Sequence, residues 1–327
     1  MGCIQRYDPK RVYLIFILSF CLYIWFNSAK WSLPHLNEPS CLPAEIKTGA
    51  GELILSSGKN NKQYLFVVTP TYNRITQLPD MLRMKQSFLL LDNVVWIVIE
   101  DSGCRHSEVY ELIKDFPLLI YINQKLSGAP SSYNKGAQQR NLAIKLLQSH
   151  FSSYHNSVVY FADDDNTYNS MLLPRLFKTK NISVFNVGLI NEDVEGPVSN
   201  DQGNFVNWRT RYPGKFFNKE RKFCIDMAGF AVSVKQLIDS NALFDPKGVR
   251  GYLETDFLEM FPIQLHELEV LTFSISEIVA WHTRTSYMIA NHTASAYVWL
   301  VIRNAFYFLS AYLVAVVVLH KLKFMKV

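Results

Sequence analysis

Through the middle of the chain, apolar residues fall in short runs separated by longer stretches of mixed polarity. Residues 64–69, 94–99, 118–122, 158–162 and 182–187 are apolar or β-branched runs with the length and composition of buried strands. Between them lie segments of helical length, such as 77–91 and 136–150. Strand alternating with helix predicts an α/β fold, a doubly wound and mostly parallel Rossmann-type sheet flanked by helices. In such sheets ligands sit beyond the carboxyl ends of the strands. Polar residues gather at those ends: Thr69 to Tyr72 after the first run, Glu100 and Asp101 after the second, and Asp163, Asp164 and Asp165 after the fourth. Each has a plainer reading alone: a turn for Pro70, a helix N-cap for Asp101, a solvated acidic turn for the triplet. Their coincidence at equivalent strand ends points to a site.

Two apolar segments stand outside this alternation. Residues 12–26, "VYLIFILSFCLYIWF", are followed by no charge until Lys30, just long enough for a short membrane helix. Arg6, Lys10 and Arg11 precede it and predict a cytoplasmic N-terminus. The competing reading is a cleaved signal peptide, but no small-x-small site follows, and bulky Trp25 and Phe26 close the run. Residues 296–319 would span about 36 Å as a helix, enough for a second crossing. Arg303 interrupts that run and can snorkel near an interface, and Lys321, Lys323 and Lys326 return the C-terminus to the cytosol. A packed C-terminal helix or a gene-prediction artefact are the alternatives. The expected organisation is a tail (1–11), a signal anchor (12–29), a stem (30–62), a lumenal domain (63–287) and a hydrophobic extension (288–327).

Composition adds compartment more than fold. The 327 residues are 49% hydrophobic, with net charge +5 at pH 7. The two ends carry +7 between them and the middle −2, so the basic balance belongs to the tails and no nucleic-acid footprint is expected. Two sequons, at Asn181 and Asn291, fit a lumenal location. Beyond the anchor remain Cys41, Cys104 and Cys224, an odd count that leaves one over. Cys41 either links two chains into a homodimer or is a free thiol.

Three consecutive carboxylates at the end of a buried strand repel one another and are costly to desolvate, and a bound cation is the simplest compensation. A hard dication such as Mn²⁺ or Mg²⁺ takes carboxylate and water oxygens and keeps part of its shell for substrate phosphates. No Walker-type glycine-rich loop is present, so a P-loop reading fails. In the lumen the phosphate-bearing substrate is then a nucleotide sugar, its diphosphate neutralised by the metal as the glycosidic bond breaks.

The blocks "VVTPTYNR" (67–74), "VIED" (98–101), "QRNLA" (139–143), "VVYFADDDNTY" (158–168), "VEGP" (194–197), "IDMAGFAVS" (225–233), "RGYLETDFL" (250–258) and "WHTRT" (281–285) resemble, in order, the β-1,3-glucuronosyltransferases of glycosyltransferase family 43. The resemblance implies a GT-A-like fold, a Golgi membrane location with a lumenal catalytic domain, and inverting, Mn²⁺-dependent transfer of glucuronic acid from UDP-glucuronate to the 3-hydroxyl of a terminal galactose. The acceptor it implies is the galactosyl-galactosyl-xylose linker of proteoglycans, with N-acetyllactosamine on glycoproteins as the runner-up. A catalytically silent lumenal sugar-binding protein is the rival of another class. By the same resemblance, Asp165 binds the metal, and Tyr72, Asp101, Lys135, Arg140, Asp163, Asp164, His282 and Arg284 contact the donor. An arginine at position 140 suits an anionic sugar, because a guanidinium binds a carboxylate through two bonds. Lys135 departs from the family's arginine and loses the planar fork. Glu254 matches the general base, which an inverting transfer needs on the face opposite the leaving group. Without its motif, Glu254 would read as a solvated charge at a helix start. Glu195, Phe217, Arg221, Asp226 and Arg250 match the acceptor side, where residues 208–223 run longer than the family's version.

Overall fold

The computed structural model describes residues 41–42, 47–48, 62–125, 136–190, 193–211, 214–216, 219–249, 251–271 and 278–285. Lys135, Phe217, Arg250, Asn291 and both apolar flanking segments lie outside the described residues. No described helix is long and apolar enough to cross a membrane.

The central sheet contains eight strands: β1 (Lys47–Thr48), β2 (Leu65–Thr71), β3 (Val94–Glu100), β4 (Leu119–Asn123), β5 (Val158–Phe161), β6 (Ile182–Val184), β7 (Phe230–Ser233) and β8 (Glu269–Val270). Their order across the sheet is β8-β6-β7-β5-β2-β3-β4-β1. β5, β2, β3 and β4 run parallel, as the alternating pattern predicts. Every residue of β2 and β3 is buried, which follows from helices covering both faces. The helices are α1 (Gln77–Phe88), α2 (Ser107–Ile113), α3 (Ala137–His150), α4 (Leu172–Leu176), α5 (Val234–Ser240) and α6 (Leu253–Leu258). The result is a GT-A-like α/β fold with a mixed, mostly parallel sheet.

The structure adds one strand to this expectation and interrupts another. β7 inserts antiparallel between β5 and β6, so the sheet is mixed beyond its parallel half. The strand expected over residues 182–187 is broken at Phe185 and Asn186, where the chain leaves the central sheet for a second one. That second sheet orders Phe205–Arg209, Asp193–Ser199, Val187–Ile190, Ala280–Trp281 and Thr167–Tyr168. It matters because Ala280–Trp281 pairs with the strand that follows the acid triplet, carrying the "WHTRT" segment to the triplet's side.

The core divides between the sheet's two faces. On one, Phe257 of α6 stacks on Phe244 with centroids 3.9 Å apart and meets Phe161 edge-on at 5.7 Å. On the other, Trp96 packs edge-on to Phe88 and Phe116. Cys104 is disulfide-bonded, and Cys224 keeps a buried thiol whose Sγ donates to the Arg221 carbonyl at 3.1 Å. The backbone of Cys41–Leu42 pairs antiparallel with Arg105–His106, next to Cys104. Asn181 is exposed at the head of β6, while Ser183 of its sequon is buried and bonded to Thr179.

Candidate active site

The triplet follows β5 directly, and the structure shows how three adjacent acids coexist. Asp163 bonds Arg140, a buried guanidinium in the first turn of α3 that also lies against the Phe244 ring. Asp164 accepts from Thr71 Oγ1 at 2.6 Å and Arg74 Nη1 at 2.6 Å, both groups at or just past the end of β2. Two of the three charges are therefore balanced by arginines, a compensation the local sequence hides because the partners are 23 and 90 residues away. Burial still outweighs these bonds at Asp164 and lifts its pKa to about 6.

Asp165 is different. It forms no ion pair among the described residues and is half-buried at the cleft. Burial and the neighbouring Asp163 charge raise its pKa, against the pull of His282 and Arg74. A carboxylate with no ion pair among the described residues, where desolvation works against its charge, could hold a metal. Among the described residues no group of three His, Cys, Asp or Glu side chains forms a metal cage. The donor set thus fits a hard dication held by one protein carboxylate, with water and phosphate oxygens completing the shell.

The donor side continues around the strand ends. Tyr72 is 44% exposed, its ring beneath the Arg74 guanidinium at 5.1 Å. Asp101 follows β3, its amide donating to Thr71 O at 2.9 Å, so the two strand ends are stitched together. His282 faces the triplet from the opposite wall, its Nδ1 3.6 Å from Asp226 Oδ2. Arg284 is exposed, with a left-handed backbone (φ 48°).

Glu254 sits on α6, with its neighbours on the helix packed into the phenylalanine cluster, so it is held on a fixed floor. It is half-buried. Burial, then the Asp226 charge, push its pKa up to about 7, with Arg221 and Arg140 opposing. Thr255 ties this helix to the segment beside it: its hydroxyl accepts from Phe223 N at 2.8 Å and donates to Phe223 O at 2.9 Å. That segment presents Arg221 and Asp226. Arg221 grips Glu195 through two bonds of 3.0 and 2.8 Å, and Thr210 adds a third at 2.6 Å. Burial also raises the Asp226 carboxyl, helped by Asp163 and Glu195 and opposed by His282.

The described site residues thus form one electrostatic cluster: Asp163, Asp165, His282, Asp226, Glu254, Arg221 and Glu195 each act on at least one other. The sequence placed Thr71 at the strand end but did not single out Arg74 or Thr255. Arg74 stands just past that strand end, and a hydroxyl next to an acid on a buried helix was the available sign for Thr255.

Parallel strand ends, an acid with no ion pair among the described residues and a second carboxylate whose pKa burial raises are what a group-transfer enzyme would need. The family model of glycosyltransferase family 43 matches residues 84–286, and this chain belongs to that family. Galactosylgalactosylxylosylprotein 3-beta-glucuronosyltransferase 1 of Rattus norvegicus is 36% identical over 235 residues, covering 68% of this chain and 69% of its own. The protein called galactosylgalactosylxylosylprotein 3-beta-glucuronosyltransferase 3 in Homo sapiens is 33% identical over 242 residues, 68% and 70% of the two chains. Its counterpart I in Drosophila melanogaster is 32% identical over 241 residues, 68% and 76%. Among solved structures, S. aureus TarS 1–349 aligns over 68% of this chain and 60% of its own, with 14% identity and a TM-score of 0.45, too distant to bear on the site.

Proposed function

We propose that the chain is an inverting glucuronosyltransferase that moves glucuronic acid from UDP-glucuronate to the 3-hydroxyl of the terminal galactose of a galactosyl-galactosyl-xylose linker. The observation that carries this is Glu254, held on a rigid floor with a pKa near 7 and linked through the Asp226 charge to Asp163 of the acid loop. A base is most effective when its pKa lies near the working pH. Glu254 takes the proton from the acceptor hydroxyl as that oxygen attacks the anomeric carbon. The bond from that carbon to the UDP oxygen breaks, and its electron pair leaves on the diphosphate. A dication at Asp165, Mn²⁺ in this reading, supplies neutralisation of that diphosphate charge. Asp163 and Asp164 hold the uridine side, Tyr72 stacks on uracil, Asp101 reads the uracil edge, and His282 with Arg284 contacts the diphosphate and donor sugar. Arg140, oriented by Asp163, pairs with the donor's carboxylate. Glu195, Arg221 and Asp226 bind the acceptor galactose. Residues 12–29 anchor the enzyme in the Golgi membrane with its domain lumenal, and Asn181 carries a glycan.

The test is transfer by the detergent-solubilised full chain from UDP-glucuronate, with and without Mn²⁺, to Gal-Gal-Xyl, a digalactoside and N-acetyllactosamine. Manganese-dependent glucuronidation that favours the first two is expected. No transfer to any acceptor, or equal rates after chelation, overturns the proposal.

A further inference from the structure

Asp80 lies in the first turn of α1 and is 1% exposed, a carboxylate taken almost wholly out of water. Such a group persists only when fully engaged. Its Oδ2 accepts from Arg74 Nη2 at 2.9 Å and from the Thr285 hydroxyl at 2.6 Å, and its Oδ1 accepts from Arg83 Nη2 at 3.0 Å. Each partner reaches the acid loop. Arg74 passes on to Asp164 at 2.6 Å. Arg83 donates from Nε and Nη2 to the Asn166 carbonyl, at 3.3 and 3.2 Å. Thr285 closes the segment whose Thr283 donates to the Asp165 carbonyl at 2.6 Å. The three consecutive residues 164, 165 and 166 are thus clasped from three directions, and all three clasps converge on one carboxylate.

We infer that Asp80 is a positioning residue for the donor: without touching substrate it fixes the loop that presents Asp165, and it pins the His282 and Arg284 wall to the same point through Thr285. A carboxylate that must meet a metal and a diphosphate works only within a narrow geometry, so its supports act on donor affinity rather than on acceptor recognition. The inference rests on the UDP-donor reading above and goes beyond it by assigning the residue that sets that geometry.

Thr285→Val removes one bond to Asp80 and keeps the shape. Thr285→Ser restores it. Asp80→Asn removes the charge that both arginines share. The measurements are UDP affinity by titration calorimetry in the presence and absence of Mn²⁺, KM for UDP-glucuronate and for a digalactoside acceptor, and the melting temperature of each variant. Loss of one such bond predicts a roughly two- to tenfold weakening of UDP binding and a matching rise in donor KM for Thr285→Val, and a rise beyond tenfold for Asp80→Asn. Acceptor KM stays within twofold, and Thr285→Ser behaves as the parent. If Asp80→Asn fails to fold, the Val and Ser pair decides alone. Parental UDP affinity and donor KM in folded Thr285→Val, or an equal rise in acceptor KM, overturns the inference. A parent that binds UDP but transfers no glucuronate defeats the donor-sugar reading while leaving this pair of variants decisive through calorimetry.

Discussion

Replacing Glu254 by Gln separates two consequences of one buried carboxyl. In the unfolded chain that group releases its proton near 4.5, and in the folded protein near 7. Between those values the folded form holds a proton the unfolded chain has already given up, so raising the pH through this window lowers stability. The displacement corresponds to an upper limit of about 3 kcal/mol, trimmed by solvent screening because Glu254 opens onto the cleft. Glutamine never ionises, so E254Q is level with the parent below pH 4.5 and gains on it progressively up to pH 8. For a domain of this size each kcal/mol moves Tm by about 2–4 °C. Thermal unfolding of both proteins at pH 5 and pH 8 measures the gap. Transfer behaves oppositely: the parent's kcat/KM rises with pH through about 7, and E254Q loses about two to four orders of magnitude. A variant that transfers at the parental rate refutes the base assignment. A stability gap that stays flat with pH refutes the burial from which the raised pKa follows.

Three further outcomes are expected. Asp165→Ala abolishes the manganese-dependent part of UDP binding in calorimetry and with it transfer, whereas E254Q keeps that heat, and equal heats for both variants would contradict the metal position. Gly136→Ala forces a left-handed residue (φ 82°) to carry a Cβ 2.8 Å from Arg140 Nη1, costing roughly 1–2 kcal/mol in the backbone and raising donor KM through the displaced guanidinium; an unchanged KM would show that Arg140 does not serve the donor. Thr255→Val leaves the Phe223 amide and carbonyl without their buried partner, so denaturant unfolding should register a loss of about 1–3 kcal/mol or more and kcat should fall as the Arg221–Asp226 segment loosens.

The parallel half of the sheet was legible because β2, β3, β4 and β5 are apolar runs whose boundaries depend on local pattern. β7 escaped because Phe230–Ser233 runs straight out of a 3-10 turn at Met227–Gly229 and into α5, with no loop to mark its ends. The cluster of acids at one edge was also legible, since strand ends in such a fold point the same way. What each acid does there was not. Asp163 and Asp164 are held by arginines on other elements, so adjacency in sequence said nothing of their unequal roles. The raised pKa of Glu254 comes from burial and from the Asp226 charge, neither visible in "GYLETDFLEM". Asp80 read as an ordinary first-turn acid, and only burial sets it apart.

The middle position of β2 in the sheet also has a bearing on biosynthesis. Its register puts Leu65 opposite Val94 on one side and Val158 on the other, a separation like the 93 residues between Thr71 and Asp164. At a synthesis rate of about 5–20 residues per second, one edge of this wholly buried ribbon waits on the order of several seconds for its mate. An unmated edge of that kind recruits foreign strands, so the nascent chain passes through a vulnerable interval that a mature, folded sample never reveals. Thr283 and Thr285 leave the ribosome later still, so their bonds to the Asp165 carbonyl and to Asp80 are among the last of the domain to form.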